Sequence, residues 1–351
     1  MNSVRSKLEN NEIDALYRKN KVKSISFLIA LSVLLLVAVV LSLCAGSYET
    51  PVLELIKGVF GMSADKKINL IVRNNRLPRI LTALLAGGGL GLAGCILQAV
   101  LRNPLASAST LGVSQGATFG AAFAIVVLGM GSTGGIGIPL CAFLGSIAVA
   151  VVILGLSKFR QVSPEGIVLA GVAISSMFTG ATTLLQYFAD EVELSTLVFW
   201  TFGDLGSTGW EDLGGMAAIV AVLCVYCFIH RWDYNALLSG EETAVSLGIN
   251  VKRLTLVGMV LCCLSSSVIV SNIGLISFIG LVAPHIVRMA VGNNHVYLIP
   301  GSILGGATLL LLGDLFARTV ISPVILPIGA ITSFLGGPLF LYLLFKGGKK
   351  Q

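Results

Sequence analysis

Charge is what this sequence has least of. Only 11% of its 351 residues are Asp, Glu, Lys or Arg, while 55% are hydrophobic and the mean hydropathy is +0.92. A soluble domain carries about 25% charged residues, so a soluble fold is excluded. Histidine is scarce as well. His230, His285 and His295 are scattered, without the spacing of metal ligands. No GxxxxGK[ST] occurs, so the chain cannot itself cradle ATP phosphates in a P-loop. All seven cysteines lie in or at the ends of apolar runs. Cys224-x-x-Cys227 has redox spacing but no thioredoxin-like context, and the cysteines act as small apolar packing residues. Gly112-Val-Ser114-Gln-Gly116 spells GxSxG. A nucleophile elbow needs a strand–turn–helix, and this stretch instead opens an apolar run. The net charge of +6 does not point to nucleic acid, because the basic residues sit in loops between apolar runs.

What the chain does have is long apolar runs and 41 glycines, which suit close helix packing in a bilayer. The runs are 26–46, 77–101, 110–130, 138–156, 165–188, 213–229, 254–272, 274–291, 296–317 and 320–345. That predicts an all-α polytopic membrane protein of about ten transmembrane helices. The run 274–291 is interrupted by Gly280 and Pro284, and 320–345 contains several prolines and glycines. Residues 1–25 are polar and basic and form a cytoplasmic N-terminal segment. Residues 26–346 form one membrane domain, and 347–351 a cytoplasmic tail. A basic segment before an apolar core is also the pattern of a signal peptide. Leu43 before Cys44 is too large for a lipoprotein cleavage site and the core is long, which favours a retained span. Residues 50–61 are short and amphipathic and belong at the membrane interface.

The stretch 73–116 organises the rest. It begins with Arg73, Arg76 and Arg79, crosses an apolar segment containing Gly87, Gly88, Gly89, Gly91 and Gly94, and ends at Asn103-Pro104-Leu105. Its small residues mark a span surrounded by protein rather than lipid. With both termini inside, 7 of the 23 Lys and Arg residues fall outside: Lys57, Lys66, Lys67, Arg73, Arg76, Arg79 and Arg318. The positive-inside rule supports this orientation. Two readings of the outer arginines stand at this point. They are helix-end residues reaching for the interface, or a basic patch that meets an acidic partner. Asp314 and Arg318 lie one helical turn apart, at pairing distance.

Two polar segments interrupt the apolar pattern. Residues 189–212 are acidic and aromatic, with Asp190, Glu191, Glu193, Trp200, Asp204, Glu211 and Asp212. Residues 231–253 contain Ser-Gly-Glu241-Glu242, where Ser239 and Glu242 have capping-box spacing. A short amphipathic helix with Ala244, Val245 and Leu247 follows, stopped by Gly248. It is either a solvated connector or a helix that docks into a partner's groove.

Six ordered motifs across residues 50–346 resemble the permeases of the iron-siderophore, haem and cobalamin ABC importers. These are Arg76-Leu-Pro-Arg79; Gln98 with Asn103-Pro104-Leu105-Ala106 and Leu111-Gly112-x-Ser114-x-Gly116-Ala117; and Leu169-Ala170-Gly171-Val172-Ala173. The others are Gly240-Glu241 with Ser246-Leu247-Gly248; the run from Gly274 through Pro284-His285 to Arg288; and Pro327-x-Gly329 with Gly336-Gly337-Pro338-Leu339-Phe340.

The resemblance implies a type II importer fold in a bacterial or archaeal cytoplasmic membrane. It implies a pore shared with a second permease copy or a paralogue, and two ATP-binding subunits below, which carry the ATP and Mg. This chain would itself be no enzyme and bind no cofactor or metal. Arg76, Arg79 and Arg318 would dock an extracytoplasmic substrate-binding protein, and Asn103, Pro104 and Leu105 would form a cytoplasmic gate. A coupling helix at about 239–250, with Gly240, Glu241, Glu242, Ser246, Leu247 and Gly248, would receive the ATPase stroke. The chain departs from the family at Asp204, where small or hydroxyl residues are usual. With Trp200 it is placed at an outer vestibule, where its charge would disfavour an anionic chelate. Two rival classes remain. An ion-coupled transporter or channel would carry intramembrane carboxylates, and few occur. An intramembrane enzyme would need a catalytic constellation, and none is spelled out.

Overall fold

In the computed structural model, the structure describes residues 2–46, 51–132, 136–159, 163–321 and 323–347. Every regular element among them is helical. α1 (Asn2–Cys44) runs unbroken from the polar N-terminus through the first apolar run, so residues 2–25 continue the first helix. α2 (Val52–Val59) is short, as its amphipathic pattern predicts. α3 (Lys66–Ile71) is capped by Asp65, whose carboxylate accepts from Lys67 N at 2.8 Å. It leads through a π-helical turn (Val72–Arg76) directly into α4 (Leu77–Val100). Pro78 comes just after the π-helical turn, so its missing N–H falls where the helical ladder already changes register.

α5 (Val113–Ala122) continues in a π-helical turn (Phe123–Val127), a shorter element than the apolar run 110–130. Gly112 at φ +87° gives it a left-handed entry. α6 (Gly137–Phe159) and α7 (Pro164–Phe188) follow. α7 starts cleanly because the Ser163 hydroxyl accepts from Gly166 N at 3.2 Å with Pro164 in the first turn. α8 (Glu191–Phe202) lies inside the segment expected only to be acidic and aromatic. Asp190 and Glu193 form a reciprocal capping box, and Asp212 accepts from Gly209 N at the start of α9 (Trp210–Ile229). Those carboxylates therefore gather at two helix N-termini, where the helix dipole favours them.

α10 (Arg231–Leu238) and α11 (Glu241–Ser246) occupy the long polar segment. The expected Ser239–Glu242 capping box does not form. Gly240 at φ +111° takes the cap position, and the Ser239 carbonyl instead accepts the Thr243 hydroxyl at 3.1 Å. α12 (Val251–Ile273) is capped by Asn250. α13 (Ile279–Val291) starts only after Phe278, which is left-handed at φ +67°, so residues 274–278 are not helical. α14 (His295–Thr319) and α15 (Ile328–Gly347) complete the bundle. The tenth run's helix starts late, because residues 323–327, with Pro323 and Pro327, stay outside it. Seven helices are long and apolar enough to cross a membrane, and three shorter apolar ones bring the described total to ten.

α4 is the axis. The most apolar part of the span containing it is 83% buried inside the chain, against 11% for α1 and 17% for α7. α14, α12, α13 and α9 surround it. Two of these contacts require glycine. A Cβ at Gly94 would run into the Gly280 carbonyl of α13, and one at Gly87 into the Gly306 carbonyl of α14. Backbone meets backbone at both places, which is the close approach that small residues permit in a membrane.

Candidate functional site

The two ends of α4 carry the candidate residues. At the α3 end, Asp314 is fully buried and holds two guanidinium groups. Its Oδ1 accepts from Arg79 Nε at 2.9 Å and lies 2.8 Å from Arg79 Nη2. Its Oδ2 accepts from Arg318 Nε at 2.9 Å. The i,i+4 pair within α14 was legible from spacing; the link to Arg79 crosses 235 positions and was not. Arg318 also donates to the Ala45 carbonyl at 3.0 Å and the Ser42 hydroxyl at 2.6 Å on α1 and its end. Arg76 donates to the Leu43 carbonyl and is itself buried, with 7% exposure. Only 14% of the Arg79 side chain and 12% of the Arg318 side chain are open. Arg76, Arg79 and Arg318 thus tie α1, α4 and α14 together at their ends. Most of their hydrogen-bonding capacity is used inside this cluster. Arg73, Lys66 and Lys67 beside them are exposed, and Arg73 offers its carbonyl to Trp210 Nε1 at 2.9 Å.

Asp204 belongs to the same cluster. Its carboxylate accepts from Gly206 N at 2.8 Å and lies 3.6 Å from Arg79, with 58% of the side chain open. It therefore has a cationic neighbour, which weakens its field toward an approaching anion. Trp200 packs on Ala117, Ala121, Ala142 and Val270, and its carbonyl abuts Gly274.

At the other end, α4 stops at Val100 and the chain turns through Arg102 at φ +45°. The Asn103 side chain accepts from Leu105 N at 2.9 Å, an Asx turn that sets up Pro104, and Leu105 is exposed. Arg102 reaches Glu241 on α11 at 3.7 Å, so the turn and α11 meet. On α11 and its C-terminal turn, Ala244 is buried while Glu241, Glu242, Ser246, Leu247 and Gly248 are exposed, as is Val245. Gly248 at φ +84° ends the turn. One contact was invisible in the sequence. Arg288 of α13 donates from Nη2 to Gln98 Oε1 of α4 at 2.8 Å, across 190 positions. Ser114 of the GxSxG stretch shares a hydrogen bond with Ser109 at 3.1 Å. Among the described residues no three His, Cys, Asp or Glu side chains gather as a metal site.

The sequence profile of the FecCD transport family matches residues 34–346. The chain belongs to the FecCD transport family. It is 48% identical to an ABC transporter permease protein of Methanocaldococcus jannaschii, over 97% of this chain and 99% of that one. It is 35% identical to the hemin transport system permease HmuU of Yersinia pestis, over 90% and 95%. It is 37% identical to the vitamin B12 import system permease BtuC of Escherichia coli, over 95% and 99%. Among solved structures it matches a metal-chelate type ABC transporter in an inward-facing conformation. The TM-score is 0.80 and the identity 31%, covering 92% of this chain and 99% of that one. This FecCD chain is accordingly a multi-pass membrane protein, an ABC importer permease with the type II fold, and a transport component.

Proposed function

We propose that the chain is the pore-forming subunit of an ATP-driven importer for an iron-siderophore, haem or cobalamin-type chelate. It works in a bacterial or archaeal cytoplasmic membrane with both termini in the cytoplasm. The observation that carries this is the family match, joined to the two contrasted ends of α4. The chelate class rests on the hemin and vitamin B12 relatives. The face with α10 and α11 is cytoplasmic, and α11 couples to two separate ATP-binding subunits, which hold the ATP and Mg. The exposed Val245 and Leu247 support this, because an apolar pair beside a short helix suits a partner's groove. The weakly buried α7 supports a pore shared with a second copy or a paralogue. Asn103, Pro104 and Leu105 gate the exit. Arg76, Arg79 and Arg318, by holding the ends of α1, α4 and α14 together, set the docking face for an acidic extracytoplasmic binding protein, and alternation between two packings of the bundle moves the cargo.

Reconstitution tests this directly. Proteoliposomes holding the chain with its co-purified subunits and binding protein take up labelled haem or cobalamin only with ATP inside the ATPase compartment. Uptake driven by an ion gradient without ATP would establish the rival ion-coupled transporter. Cargo uptake on Asp204→Asn, compared between an anionic and a neutral chelate, tests the vestibule. Unchanged preference removes Asp204 from selectivity.

A further inference from the structure

A cavity of about 340 Å³ opens where the α4 end, α10 and the α13–α14 turn meet. Its polar lining is Gln98, Arg102, Arg288, Asn293 and His295. No carboxylate lines it, and among the described residues Arg288 forms no ion pair. Arg102 lies 3.7 Å from the exposed Glu241 and within electrostatic reach of the exposed Glu165, both outside the cavity lining. Two arginines thus line one space whose wall holds no carboxylate. His295 is 1% exposed. Its Nδ1 lies 3.1 Å from Asn235 Oδ1, an acceptor that also takes the His295 backbone N–H at 2.7 Å, so Nδ1 donates. Nε2 of the neutral ring is then a lone-pair acceptor, and it has no protein partner.

We propose that this cavity binds a phosphate oxyanion that carries a hydroxyl. The ligand is either free hydrogen phosphate or the head of a hydroxylated anionic phospholipid. The planar forks of Arg102 and Arg288 suit phosphate oxygens. The Asn293 amide adds a donor, Gln98 holds Arg288 in place through its Oε1, and His295 Nε2 accepts the hydroxyl. A carboxylate could bridge the two forks, as Asp314 does between Arg79 and Arg318, but it carries no hydroxyl for His295; hydrogen phosphate offers oxygens for both forks and the hydroxyl as well. Because Arg102 also reaches Glu241, occupancy competes for the side chain that joins the α4 turn to α11. The assignment of this face to the cytoplasm rests on the proposed function; the binding chemistry does not.

The test uses the chain with its co-purified subunits in nanodiscs of phosphatidylcholine. Equilibrium dialysis measures bound radiolabelled inorganic phosphate. Native mass spectrometry then measures phosphatidylglycerol retained after reconstitution in phosphatidylcholine–phosphatidylglycerol discs. Retention of one phosphate or one phosphatidylglycerol per chain is expected, and the arm that binds identifies the source. Arg288→Gln weakens it about tenfold or more, the loss of a charge-assisted bond. Arg102→Gln, at an exposed position that leaves folding intact, weakens it in the same direction. Lys252→Gln, an exposed charge outside the cavity, leaves it unchanged. Absence of both probes from the wild type overturns the proposal, as does equal binding by Arg102→Gln and the wild type. Neither measurement depends on transport, so an importer that carries a different cargo leaves the result intact.

Discussion

The two ends of α4 solve opposite problems with the same residue type. At the α3 end, Arg79 and Arg318 converge on one carboxylate that water does not reach, and Arg76 is tucked against the end of α1. At the other end, Arg102 is 44% open and its partner Glu241 57% open, 3.7 Å apart. The first arrangement is closed and internally satisfied. The second is exposed, weakly held and ready to exchange partners. Burial sets the difference, because removing one member of a buried ion pair strands a charge, while an exposed pair contributes little.

The largest effect should come from the closed end. Asp314→Ala strips the mostly buried Arg318 guanidinium of its carboxylate and leaves Arg79 only the exposed Asp204, and should cost about 3–5 kcal/mol, read as a lowered melting temperature of the purified protein. If the melting temperature holds, the cluster is not the anchor described. The glycine seam comes next. Gly94→Ala drives a methyl group into the Gly280 carbonyl and should cost about 1–3 kcal/mol. Gly155 on α6 has open space around it, so Gly155→Ala should instead raise stability by about 0.5–1 kcal/mol. A common sign for the two glycine variants would remove the seam. At the open end, Glu241→Gln should change stability by less than about 1 kcal/mol. Smallest on stability, within about 0.5 kcal/mol, should be Leu247→Asp. Pull-down should nevertheless show the ATP-binding subunits lost from the membrane complex. Retained subunits would make α11 a connector only.

Local pattern made much of this legible. Apolar runs placed the spans, the glycines marked α4 as enclosed by protein, and the four-residue interval joined Asp314 to Arg318. Local signals failed where a tertiary partner decides. Nothing near Arg79 in sequence points to Asp314, and nothing near Gln98 points to Arg288. Both pairs exist because α14 and α13 pack on α4. The Ser239–Glu242 spacing was a sound capping signal, but Gly240 at positive φ moved the helix start by one residue. The segment 189–212 showed only its acidic and aromatic composition, because its carboxylates are spaced for two helix starts that hydropathy does not register.

The Gly94–Gly280 contact has a mechanical corollary. Where side chains separate two helices, small sliding motions are cushioned by a change of rotamer. Here main chain rests on main chain with nothing compressible between. α13 and α4 cannot creep past one another in small steps at this point; they travel together as one stiff member or part altogether. A seam of that kind acts as a detent, with defined positions and no gradual travel between them.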